Sequence, residues 1–89
     1  MYIAKVVGMV VATRKEEDFV GKKLLIVQGI NEKEEILGPP EVAVDAVGAG
    51  TGEVVLVTKG SAARSVFGKP DSAIDAAIVG IIDSLEVNK

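Results

Sequence analysis

The glycine-rich segment Gly48-Ala49-Gly50-Thr51-Gly52-Glu53 runs directly into Val54-Val55-Leu56-Val57 and is the strongest signal for the fold. Its glycine spacing is that of a loop that binds nucleotide phosphates. Such a loop needs a helix next, because the N–H groups and the dipole at a helix N-terminus face the anion. Here a β-branched, aliphatic run follows and predicts a strand. Glu53 also stands where the dinucleotide-binding pattern needs its last glycine, and the Gly-Lys-Ser/Thr ending of a P-loop is missing.

We therefore interpret these six residues by backbone shape. They form either a tight turn that needs a positive φ at one or more glycines, or a close-packed loop where copies of the chain meet at a symmetry axis. A phosphate-binding loop is the alternative.

Five segments rich in aliphatic and β-branched residues predict strands. Charged or glycine- and proline-rich stretches separate them, and residues 13–21 are a solvated loop that Phe19 fastens to the fold. A short helix over residues 62–66, with Ser61 as its N-cap, is expected between the fourth and fifth strands. The predicted strands cover residues 2–12, 22–30, 42–47, 53–59 and 77–83.

The chain of 89 residues is expected to be a single domain, residues 1–89. Five short strands in so small a domain predict a mainly β fold, a closed or partly open barrel, because closure removes exposed strand edges. Hydrophobic residues make up 48% of the chain. This is more than a core of this size can bury, so we expect an oligomer.

The composition opposes several classes of function. A net charge of −3 and only three aromatic residues, one Tyr and two Phe, oppose nucleic-acid binding. The chain has no His and no Cys. It therefore lacks the usual general base and the usual transition-metal ligands, and we expect no enzyme, no metal and no cofactor. No apolar run reaches the ~18 residues of a membrane span and the N-terminus lacks a signal-peptide pattern, so we expect a cytoplasmic protein without a membrane partner.

A few polar side chains could carry chemistry. Arg64 is either a solvated residue or an intersubunit contact to a carboxylate or carbonyl, which its planar fork of donors suits. Asp45 and Asp75 could be a pair of acids, although hydrogen bonding in a turn or at the end of a strand explains each of them. Ser61 could form a dyad with Lys59, but a helix cap accounts for it without further residues.

Three longer segments, taken together, resemble the EutN/CcmL family, the pentameric vertex proteins of bacterial microcompartment shells. They are residues 44–55 (VDAVGAGTGEVV), 60–64 (GSAAR) and 75–83 (DAAIVGIID). Residues 3–8, 11–15 and 21–25 also fit, so the resemblance covers nearly the whole chain in order and without large insertions.

The resemblance implies an OB-like five-stranded β-barrel with one short helix between the fourth and fifth strands. It further implies a non-catalytic shell protein that forms homopentamers, caps vertices beside hexameric shell proteins, and resides in a microcompartment shell within the cytoplasm. Within this interpretation Ser61 caps the helix and Arg64 contacts a neighbouring subunit or an adjoining tile. The tight turn or subunit contact near the ring axis is assigned to Gly48, Ala49, Gly50, Thr51, Gly52 and Glu53. The alternative is a small-molecule or nucleotide-binding OB-like barrel that uses the loop from Gly48 to Gly52.

Overall fold

The computed structural model describes residues 1–13, 15–69 and 71–88. It contains five strands, one α-helix and one turn of 3-10 helix. The helix lies between the fourth and fifth strands, as the sequence predicts. The elements are β1 (Tyr2–Val10), the 3-10 turn (Glu17–Phe19), β2 (Leu24–Gly29), β3 (Glu41–Asp45), β4 (Val54–Lys59), α1 (Gly60–Val66) and β5 (Ala76–Ile81).

The strands close into a barrel in the order β1-β2-β3-β5-β4, which confirms the predicted mainly β, five-stranded architecture. Every neighbouring pair is antiparallel except β3 and β5, which run parallel and share only two residue pairs. The pairing of β1 with β2 is interrupted between Val6 and Gly8 by a β-bulge. A bulge increases the local twist, which suits a strand that must bend around a small barrel.

Alternate residues of each strand point to opposite faces, and this period divides the core in two. The inner cluster fills the barrel with small and medium aliphatic side chains. It consists of Ala4, Val6, Leu25, Val27, Ala43, Ala49, Val55, Val57, Ala76 and Ile78.

The second cluster lies on the other face of β3 and β5, where α1 packs. Val44, Ala63, Ile74 and Ala77 are buried there. Phe19 is among the partly buried side chains that cover this cluster. The predicted role of Phe19 in fastening the loop of residues 13–21 to the fold is therefore confirmed.

Many aliphatic side chains have no place in either cluster. Val11 is 90% exposed, Ile36 64% and Met9 55%. Isolated exposed aliphatic residues are ordinary, but a chain of this size with so many of them has apolar surface that a partner can cover. No helix among the described residues is long and apolar enough to span a membrane.

Candidate assembly site at the glycine loop

The glycine loop is organised by the carboxylate of Asp45, which stands at the end of β3. Its oxygens accept N–H bonds from Val47 at 3.1 Å and from Gly48 and Ala49 at 3.0 Å each. The Asp45 side chain is only 4% exposed. These bonds confirm the interpretation of Asp45 as a hydrogen-bonding residue of a turn at a strand end.

Lys23 lies beside this carboxylate and fastens the loop from the other side. Its Nζ is 3.7 Å from Asp45 Oδ2 and donates to the carbonyl of Ala49 at 2.5 Å. Ala49 itself is fully buried in the inner cluster. The loop is therefore held by the buried side chain of Ala49 as well as by its polar groups.

The second half of the loop is closed by Glu53. Gly50 N–H donates to Glu53 Oε1 at 2.6 Å, and Glu53 N–H donates to the carbonyl of Gly50 at 3.2 Å. The loop is joined to β1 by two further bonds, from Gly52 N–H to the carbonyl of Val6 at 2.8 Å and from Val6 N–H to the carbonyl of Glu53 at 2.9 Å.

These bonds decide against the phosphate-binding alternative. A phosphate loop must present free backbone N–H groups to its ligand. Here the N–H groups of residues 47–50 already point at the chain's own carboxylates, and those of residues 52 and 53 point at backbone carbonyls. A phosphate would have to displace Asp45, which is buried, and Glu53.

The tight-turn interpretation holds at two of the three glycines. Gly48 has φ +83° and Gly52 has φ +91°, both in the left-handed region that glycine adopts without strain. Gly50 does not lie there, and a Cβ placed on it would meet no atom closer than Glu53 Oε1 at 3.6 Å. Within this chain, Gly50 therefore has neither a positive φ nor a close contact that excludes a side chain, and the positive φ expected at one or more glycines is found at Gly48 and Gly52.

The helix start also differs from the expectation. Helix α1 begins at Gly60, its N-cap is Lys59, and no side chain caps it. Ser61 lies inside the first turn, where its carbonyl accepts a bond from Ser65 Oγ at 3.0 Å. The assignment of Ser61 as helix cap is wrong because β4 continues through Lys59 and passes directly into the helix.

Arg64 lies on this helix and is half-buried. Its guanidinium makes no hydrogen bond or ion pair within the described part of the chain, whereas its carbonyl accepts the N–H of Phe67. Its five donors thus have no acceptor within the described residues.

One polar cluster was missed by sequence reasoning. The carboxylate of Glu41, the first residue of β3, accepts a hydrogen bond from the Tyr2 hydroxyl on one oxygen and from Lys59 Nζ on the other at 2.6 Å. The three residues stand on β3, β1 and β4, far apart in sequence, and no motif joins them. The hydrogen bond to Glu41, together with the Glu41 charge and against a lesser effect of burial, raises the pKa of Lys59. Because Lys59 binds Glu41, it does not form the dyad with Ser61.

Among the described residues, no group of three or more His, Cys, Asp and Glu is placed to hold a metal ion. The candidate site therefore has two parts that β4 joins in the chain: a glycine loop held by its own hydrogen bonds and helix α1, which carries Arg64. This arrangement supplies shape and hydrogen-bond donors but no nucleophile with an activating base.

Comparison with known proteins places these features in a family. The family described as "Ethanolamine utilisation protein EutN/carboxysome" matches residues 1–83. The bacterial microcompartment shell vertex protein PduN of Salmonella typhimurium is 51% identical over 89 residues, which cover 96% of this chain and 98% of that protein. The carboxysome shell vertex protein CcmL of Thermosynechococcus vestitus is 49% identical over 85 residues, which cover 96% of this chain and 86% of that one.

A solved structure agrees with the sequence relatives. The pentameric microcompartment shell protein GrpN of Rhodospirillum rubrum superposes with a TM-score of 0.89 at 49% identity, covering 99% of this chain and all of the other.

Proposed function

This chain belongs to the EutN/CcmL family, and from that membership we propose that it is a structural shell protein whose homopentamers cap the vertices of a bacterial microcompartment. The observation that carries the proposal is the likeness to GrpN along 99% of the chain, because that relative is itself a pentameric shell protein. The shared fold, at 49% identity and nearly full coverage, supports the same mode of assembly.

The mechanism of such a protein is geometric. A flat sheet of hexagonal tiles closes into a polyhedron only where five-fold units introduce curvature. In a ring, each copy joins its neighbour through two different surfaces, and the ring ends when the rotation closes. The exposed aliphatic side chains of the barrel walls, such as Val42 at 47% and Met9 at 55% exposure, supply apolar area for these contacts.

The glycine loop and Arg64 are assigned to contacts of this ring. Gly48, Thr51 and Gly52 are exposed and have small side chains or none, so the backbones of neighbouring copies can approach closely there. The loop needs no partner to keep its shape, because its own carboxylates satisfy it. A preformed loop loses little conformational entropy when it is buried between subunits. Arg64 offers its free donors to a carboxylate or carbonyl of a neighbouring copy or tile.

The further partners follow from the same role. Hexameric shell proteins would surround each vertex, and the protein would reside in the shell within the cytoplasm. It would act without catalysis, metal or cofactor. The absence of His and Cys from the sequence supports this, since those side chains carry most acid–base and nucleophilic chemistry.

Shell closure tests the proposal. The chain is co-expressed with hexameric microcompartment shell proteins, and the assemblies are imaged by electron microscopy. We expect closed polyhedra that contain the chain, and open sheets or tubes when it is omitted. Shells that close equally well without the chain, or that exclude it when it is present, would contradict the proposed role.

A further inference from the structure

One strand edge of the barrel is left open. The pairing of β1 with β4 ends at Lys5 and Val54, and one further pair of bonds joins Val6 to the glycine loop. Val7 is the bulged residue, and beyond it residues 8–10 of β1 are paired with β2 alone. Within the described chain, this half of β1 is thus an edge strand in an otherwise closed barrel.

The open edge is apolar and lacks the usual protection. Val7 is 47% exposed, Met9 55% and Val11 90%. Residues 7–11 include no charged residue and no proline, the two features that most often keep edges from pairing with other chains. The bulge at its start is the one protective feature of the edge. A neutral, β-prone edge of this kind favours addition of another strand.

A segment that pairs with this edge must have backbone N–H and C=O groups that are not already hydrogen-bonded. In the loop of residues 46–53, every N–H group except that of Thr51 is used internally. Residues 30–40 contain turn bonds and two prolines, which lack N–H groups. Residues 84–88 differ: within the described chain their backbone groups make no hydrogen bond.

This tail also has the pattern of a strand. Leu85 is 38% exposed and Val87 51%, and they alternate with the polar residues Ser84, Glu86 and Asn88. Alternation of apolar and polar residues places Leu85 and Val87 on the same face of an extended segment.

We propose that residues 84–88 of one copy pair as an added strand with the open edge of β1, residues 7–11, in the next copy around the ring. The inference rests on the proposed function, since it identifies a contact within the pentamer. Each subunit gives one tail and receives one, which is the head-to-tail contact that a closed ring requires.

Charge does not distinguish between partners of this edge. The edge is neutral, and the exposed residues that follow it carry both signs, Lys15 and then Glu16 and Glu17. The tail fits the edge instead through its unpaired backbone groups and its alternation of apolar and polar residues.

Disulfide cross-linking tests the proposal on a clean background, because the chain has no Cys. Met9→Cys is combined in turn with a cysteine at each position from 84 to 88. Facing residues of adjacent strands lie about 4.5–5.5 Å apart at Cα, within the range of a disulfide. We expect oxidation to give a ladder of up to five linked chains, strong at alternate positions and highest at Leu85→Cys or Val87→Cys.

The matched control combines Met9→Cys with Leu37→Cys. Leu37 is 54% exposed and lies in the loop of residues 30–40, which the proposal does not place against β1. This control should stay monomeric on a denaturing, non-reducing gel. Native mass spectrometry of the unmodified chain is measured first. Suppose that this chain forms pentamers. The strand pairing is then wrong if the double variants with a cysteine in residues 84–88 give no ladder, link within one chain, or link equally at every position. The proposed function would stand in each of these cases.

A second measurement keeps the test independent of cysteine chemistry. Leu85→Ser with Val87→Ser should raise the concentration at which half the chains are in rings by about tenfold or more, since two aliphatic side chains lose their burial. Ser84→Ala with Asn88→Ala is the control and should leave that concentration unchanged. Equal ring stability in both double variants would overturn the pairing. A monomeric unmodified chain would instead overturn the proposed function.

Discussion

The carboxylate of Asp45 holds the glycine loop in shape because it accepts three backbone N–H bonds. We expect Asp45→Asn to lower the free energy of unfolding by about 3 kcal/mol, because the amide group puts donors against N–H groups and leaves at least one of them unsatisfied in a buried place. Urea unfolding followed by circular dichroism measures this at fixed chain concentration. The control is Asp71→Asn, whose carboxylate is exposed. Equal losses in the two variants would show that the loop does not depend on this carboxylate.

The glycines of the loop should differ from one another. Gly48→Ala and Gly52→Ala each place a Cβ at a positive φ, which costs about 1–2 kcal/mol. Gly50→Ala has neither a positive φ nor a close contact, so its melting temperature should stay within about 2 °C of the original. A Gly50→Ala variant as unstable as Gly48→Ala would contradict the geometry of the loop.

For individual residues, the sequence predicted a tight turn but not the hydrogen bonds inside it. The strand after the loop argued against a phosphate site without excluding it, and the glycine spacing indicated a tight turn. Which glycines take a positive φ depends on where Asp45 and Glu53 point, and this is set by the strands that carry them. The burial of Ala49 was not predictable, because nothing in a Gly-Ala-Gly sequence shows which way the loop turns.

Among the strands, β3 has the shortest pairing with a neighbour. It pairs with β5 through only Val44 and Asp45, so its first residue lies beyond that ladder. Glu41 compensates by binding Tyr2 on β1 and Lys59 on β4. These bonds join β3 to two strands that are not its neighbours in the sheet.

The Lys59 contact should depend on pH. The pKa of Lys59 is raised in the folded state above its ordinary value of 10.5 by the bond to Glu41. Its stabilising contribution is therefore fully present below about pH 10.5 and is lost as the pH rises through the folded pKa. Because the pair is partly exposed, the contribution is at most about 1 kcal/mol.

We therefore expect Lys59→Met to be less stable than the original at pH 8, with a difference that shrinks above about pH 10.5. Thermal unfolding across this pH range measures it. Glu41→Gln should cost more at pH 8 than Lys59→Met, since it affects two donors, while Glu32→Gln, an exposed control, should cost little. A difference between the original and Lys59→Met that grows with pH would contradict the ion pair.

The elements themselves were largely predictable, and their pairing was not. Aliphatic runs and the breaks between them predicted five strands and a helix with bounds a few residues off. The parallel pairing of β3 with β5, the bulge at Val7 and the Glu41 contacts all arise when the barrel closes. Contacts between residues 39 and 18 positions apart, as in Tyr2–Glu41 and Glu41–Lys59, leave no local signal.

For the whole molecule, a variant at Arg64 distinguishes the stability of the ring from the stability of the folded chain. The Arg64 guanidinium has no partner within the described chain, so Arg64→Ala should leave the unfolding of the dissociated chain nearly unchanged. It should raise the concentration at which half the chains are in rings by at least about tenfold, because an ion pair or several directed hydrogen bonds between subunits are lost. Dilution followed by mass photometry or analytical ultracentrifugation measures the second quantity, and Lys69→Ala serves as the control. Equal losses of folding and assembly would point to a role within the chain.

The oligomer was predicted from composition before any family was considered. A chain with 48% hydrophobic residues has more apolar surface than a small barrel hides, and the exposed aliphatic side chains bear this out. Composition could not supply the number of copies, because ring size depends on the angle between two surfaces. That number comes to the proposal from the pentameric relative.

We propose that this chain closes into a ring of five, and native mass spectrometry at micromolar concentration counts the copies. We expect one dominant species of about 46 kDa, five times the chain mass of 9.2 kDa. A stable monomer, or a ring of another number, would contradict it.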